Sequence, residues 1–154
     1  FFEVGSSIKH NLKGINFNHD QLNDTLIDIK NQLEKYSCEY EIIHMIINKY
    51  VINGVDNEIL PENIDNDNLV IQVNFICLEN KIVENLKKIF SKYQISINKI
   101  LCYEYLKKLN NFSNENITNI ANDTINGKNA NEVYIVKKTF KKQGFFEKFF
   151  NFFI

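Results

Sequence analysis

From Leu69 to Leu78 the side chains alternate, with Leu69, Ile71, Val73, Phe75 and Cys77 on one side and Gln72 and Asn74 marking the other. A period of two is that of an extended strand, so one face of this segment belongs in a core while the other is partly wet. The remainder of the chain must supply both the neighbouring strands and a cover for that apolar face. Leu22, Leu26, Ile29, Leu33 and Tyr36 follow one another at spacings of four and three, which puts them on one face of a helix. Asn18 or Asp20 offers a short side-chain oxygen to cap its first turn. The stretch "YEIIHMIINKYVING" (Tyr40 to Gly54) is rich in β-formers and ends on a turn residue.

The other elements are read in the same way. Lys13 to Phe17 resembles one arm of a hairpin, and Ile82, Val83, Leu86, Ile89, Phe90 and Tyr93 outline a second amphipathic helix. "ISINKILCYEY" (Ile95 to Tyr105) reads as a further strand. The resulting order predicts an α+β fold: a small strand-helix-strand-strand module with a further helix and strand. Beyond Leu109 the composition turns to Asn, Thr and Gly, which predicts a flexible linker over 110–131 between an interaction domain at 1–109 and a tail at 132–154. Glu132 to Phe140 reads as a short strand or as the first part of that tail.

Catalysis finds no candidates. The five glycines stand singly, so no phosphate-binding loop is present, and His10, His19 and His44 are scattered without carboxylates at metal-ligand spacing. His44 lies inside an apolar strand and reads as a hydrogen-bonded core residue. Asp56 to Asn68 holds Asp65 and Asp67 but lacks the glycine and distal glutamate of a calcium loop, and reads as a solvated acidic loop. Cys38, Cys77 and Cys102 are odd in number and far apart, which argues for reduced thiols and against a disulfide framework or a zinc knuckle. No catalytic, cofactor-binding or metal-binding residue is assigned. The net charge of -1 gives no reason to expect nucleic acid as a partner.

The C-terminus carries the strongest compositional signal. On a helix at about 100° per residue, Phe145, Phe146, Phe149, Phe150, Phe152, Phe153 and Ile154 cover slightly more than half the circumference. Lys141 and Lys142 precede them, and Lys148 lies on the remaining arc. A basic amphipathic segment of this kind suits the interface of an anionic bilayer: a buried Phe contributes about 1.5–3 kcal/mol and each lysine near the surface about 1 kcal/mol. The expected membrane-binding residues are Lys141, Lys142, Phe145, Phe146, Lys148, Phe149, Phe150 and Phe153. No run approaches the roughly 20 apolar residues of a membrane-spanning helix.

Several of these segments together resemble a known family. "HMIINKYVING" (His44 to Gly54), Pro61, "LVIQVNFI" (Leu69 to Ile76) and "VENLKKIFSKYQISINKIL" (Val83 to Leu101) are similar to the insertion subdomain, often labelled 1C, of the bacterial cell-division protein FtsA. His44, Ile46, Tyr50, Ile52 and Pro61 hold places that correspond to a family motif, and Val4 to Phe17 is similar to the segment before the family's 1C helix. The amphipathic C-terminus matches the family's membrane-targeting helix. The family's phosphate-binding Asp-x-Gly-Gly-Gly-Thr stretch has no counterpart, so the resemblance implies a strongly reduced adaptor that is not an enzyme and hydrolyses no nucleotide. It would sit in the cytoplasm, peripheral on the inner face of the cell membrane at the division site. Its implied partners are division proteins, such as the tubulin-like FtsZ or later septum proteins, with self-association as a further option. A non-functional remnant of an FtsA gene, a pilus-assembly homologue sharing the insertion, and a soluble α/β domain whose tail packs on its own core are the alternatives.

Overall fold

The computed structural model describes residues 1–12, 17–61, 64, 68–113, 116–129 and 131–133. In chain order the elements are β1 (Phe2–Asn11), α1 (His19–Tyr36), β2 (Tyr40–Ile52), β3 (Val55–Asn57), β4 (Asn68–Glu79), α2 (Asn80–Ser91), α3 (Tyr103–Ser113) and α4 (Ile117–Ile125). The strands form one antiparallel sheet in the order β1-β4-β2-β3, and the fold is α+β.

β4 runs through the middle of the sheet, as its alternation requires. Leu69, Ile71, Val73, Phe75 and Cys77 are all buried in one core, where Leu22, Leu26 and Ile29 of α1 cover them. Gln72 and Asn74 on the opposite side are half-buried. α1 begins at Asn18 with a reciprocal cap: the Asn18 side chain accepts from Gln21 N–H at 2.9 Å, and the Gln21 side chain accepts from Asn18 N–H at 3.0 Å. Tyr36 does not join the buried face but is 82% exposed, because helical spacing fixes a side chain's direction and not where the underlying sheet ends. β2 turns into β3 through Asn53 and Gly54, whose φ values of 51° and 84° are the left-handed pair that a two-residue hairpin needs.

A second core lies on the other face of the sheet, and here the sequence reading is corrected twice. Residues 95–102 are irregular and Tyr103 opens α3, so the strand expected over Ile95 to Tyr105 is absent. Cys102, Tyr105, Leu106 and Leu109 recur at three, four and seven positions, a helical spacing that buries the first three with Ile76 of β4 and packs the half-buried Leu109 against them. The expected linker over 110–131 likewise contains α4, capped by Asn116, with Ile117, Ile120 and Ala121 in the same core. The folded body therefore crosses the predicted boundary at 109 and continues to Val133.

Smaller differences follow from the same packing. The acidic loop contributes β3, and Ile64 is buried in the first core, so it is anchored and not merely solvated. Of the predicted hairpin arm, Lys13 to Asn16 lies outside the described residues, and Phe17 is buried.

Candidate functional site

β2 is thirteen residues long and breaks step twice, between Ile42 and His44 and between Ile47 and Lys49. Each break inserts one unpaired residue, a β-bulge, and so moves the following side chains to the opposite face. Ile42 faces the α1 core; unbulged pairing would put His44 there as well. The bulge at Ile43 sets His44 opposite Ile76 instead, on the α3–α4 side.

There His44 is fully enclosed and both ring nitrogens are used. Cys102 N–H donates to Nε2 at 2.9 Å, so Nε2 carries the lone pair and the proton sits on Nδ1. Nδ1–H donates to Glu132 Oε1 at 2.7 Å. The other carboxylate oxygen accepts from the Tyr105 hydroxyl at 3.4 Å, and that hydroxyl accepts from Asn129 Nδ2 at 2.7 Å. The Tyr105 ring tilts against the imidazole with centroids 4.7 Å apart. Burial, and then the negative charge of Glu132, pushes the Tyr105 hydroxyl pKa well above its ordinary value.

A carboxylate orienting a histidine is half of a hydrolytic triad, but the position that a nucleophile would occupy is filled by the Cys102 backbone N–H. With both nitrogens committed, His44 has no free lone pair for a substrate proton or a metal. The arrangement is a clasp. It joins β2 to the start of α3 and to residues 131–133, which lie antiparallel along β2: Ile47 N–H donates to Asn131 O at 2.9 Å and Val133 N–H to Met45 O at 2.8 Å. His44 is the hydrogen-bonded core residue expected from its neighbours. Glu132, placed by sequence at the head of the tail, belongs to the folded body.

The second feature is a surface. On α2 only Val83 is buried, while Ile82, Ile89 and Phe90 are 43%, 52% and 39% exposed and the following Tyr93 and Ile95 are 73% and 52% exposed. Ile82, Ile89 and Tyr93 are spaced by seven and four, so they form one ridge. Each is preceded by a lysine, and Lys81, Lys88 and Lys92 therefore form a parallel, exposed ridge beside it. Exposed apolar side chains grouped in this way mark a candidate contact surface.

The expected membrane-binding residues Lys141, Lys142, Phe145, Phe146, Lys148, Phe149, Phe150 and Phe153 all lie outside the described residues. Among the described residues no helix is long and apolar enough to cross a membrane, and no group of His, Cys, Asp or Glu could hold a metal ion. Comparison with protein-family models, curated proteins and solved structures finds nothing that matches this chain.

Proposed function

We propose that the chain is a reduced, FtsA-like cell-division adaptor: a binding module tethered to the inner face of the cytoplasmic membrane that recruits septum proteins without hydrolysing nucleotide. The observation that carries this reading is the bare ridge of Ile82, Ile89 and Tyr93 beside its lysine ridge, a surface suited to a partner that is apolar and acidic. The order β1-α1-β2-β3-β4, in which β3 is a three-residue hairpin arm, and the basic, Phe-rich segment from Lys141 to Ile154 support it. A weak anchor raises the local concentration of such a module at the membrane.

Co-sedimentation with anionic vesicles is the test, using the intact chain and a version ending at Thr139. The intact chain pellets, the shortened one stays in solution, and a purified tubulin-like division protein is carried down by the former but not by its Ile89→Asp variant. Retention of both versions in solution would sink the tether.

One observation favours a second reading, in which residues 145–154 pack on α2. Residues 131–133 run toward the Tyr40 end of β2, where Lys87 of α2 meets Glu41. In that case both versions stay soluble and the shortened one melts earlier.

A further inference from the structure

β1 forms one margin of the sheet. It pairs with β4 over ten residues without a register break, and among the described residues nothing pairs with its other edge. Such an edge is a row of unsatisfied N–H and C=O groups, which proteins usually blunt with charged side chains, proline, a bulge or a short length; the charges on β1, Glu3 and Lys9, are of opposite sign and so can also pair. β1 has neither proline nor bulge, and it is long.

Its sequence is balanced about Ser6. Gly5 and Ser7 lie one position away on either side, Val4 and Ile8 two, and Glu3 and Lys9 three. We propose that β1 pairs antiparallel with β1 of a second copy, about a two-fold axis through Ser6. Each Glu3 then faces Lys9 of the second copy, each Val4 faces Ile8, and the two Ser6 residues face each other. Opposed residues in an antiparallel pair share a sheet face. Val4 and Ile8 both pack toward the α1 core and Glu3 and Lys9 both alternate to the other side, so like meets like on each face.

A one-residue slip would set Val4 against Ser7 and Ile8 against Glu3, mixing the faces and losing both charge pairs. The Glu3 side chain is 53% exposed; one carboxylate oxygen accepts from Asn74 Nδ2 at 2.8 Å within its own copy, and the other meets Lys108 only loosely, at 3.5 Å, which leaves that oxygen for Lys9 of the second copy. A dimer of this kind joins two four-stranded sheets into one continuous sheet. It uses neither α2 nor the tail, so its failure leaves the adaptor reading untouched.

The test uses the full chain. Cys38, exposed in the native fold, is first replaced by Ser. In that background Ser6→Cys forms a reducible disulfide-linked dimer under mild oxidation. Asn11→Cys does not, because the two copies of residue 11 lie about 33 Å apart in this register. In sedimentation equilibrium, Glu3→Lys and Lys9→Glu each weaken dimerisation about tenfold, since two cross-strand pairs turn from attractive to repulsive. The double variant Glu3→Lys/Lys9→Glu recovers it, a rescue that a simple folding defect would not give. A chain that sediments as a monomer, cross-linking equal at positions 6 and 11, or single variants that the double does not rescue would each overturn the pairing.

Discussion

Glu132→Ala tests whether the clasp at His44 holds the second core together. The substitution keeps the backbone bonds of residues 131–133 to β2 but removes both carboxylate oxygens. His44 Nδ1–H then has no acceptor while its side chain stays fully enclosed, with 0% of it exposed. A buried donor stripped of a charged partner costs about 1.5–3 kcal/mol. The Tyr105 hydroxyl loses a longer bond, 3.4 Å, while keeping the one from Asn129, which adds at most about 1 kcal/mol. The expected loss is therefore about 1.5–4 kcal/mol, and with a urea slope of about 2 kcal/mol/M the midpoint falls by about 0.8–2 M. Glu132→Gln keeps an oxygen for Nδ1–H, and its midpoint should fall by less than half as much. Hydrogen exchange at the Val133 and Ile47 amides should quicken in Glu132→Ala before the rest of the sheet is affected. A midpoint within about 0.2 M of the parent, or equal losses for Ala and Gln, would refute the claim that the carboxylate satisfies a buried imidazole.

The remaining predictions concern other parts of the molecule. Burial holds the hydroxyls of Tyr50 and Tyr105 above the ordinary tyrosine pKa of 10.0. The folded state thus keeps protons that the unfolded chain gives up, so stability present below about pH 10 is lost as pH rises further, and Tyr105→Phe should make the alkaline fall in urea midpoint shallower. A thiol reagent should modify Cys38 at once and Cys77 and Cys102 only on unfolding, as counted by absorbance with and without denaturant. Gly54→Ala meets no atom within 4 Å, so its cost is conformational only, about 1–2 kcal/mol from the left-handed backbone and read as a lower melting temperature. Asn18→Ala removes the α1 cap and should cost about 1 kcal/mol in the same assay.

α1 was legible because it buries one face against a single neighbour, and β4 because from Leu69 to Phe75 only its α1 side is fully buried, so the period of the pattern survives in the residues themselves. α3 and α4 were not. Cys102, Tyr105, Leu106 and Leu109 carry a helical period, yet they follow β-favouring isoleucines, and Ile117, Ile120 and Ala121 sit among asparagines whose composition speaks for a loop. In both cases tertiary burial outweighed local propensity. His44 could be recognised as a core residue from its apolar surroundings. Its partners could not, since Cys102 and Glu132 stand 58 and 88 positions further on. The bulge that turns it to the α3–α4 side leaves no mark in composition, only an interrupted alternation in "YEIIHMIINKYVI".

The position of β4 between β1 and β2 also sets a timetable for synthesis. β1 and α1 leave the ribosome first, but the inner edge of β1 has no partner until Asn68 and the residues after it arrive, an interval of several seconds at about 5–20 residues per second. β2 waits for the same strand, and His44 waits longer still for Glu132. A nascent chain halted before residue 68 therefore holds two long strands with bare edges and an uncovered apolar helix face, the condition in which holdase chaperones and aggregation compete for a chain. Pauses in translation should be more harmful before β4 than after it, when only the α3–α4 side of the sheet is still uncovered.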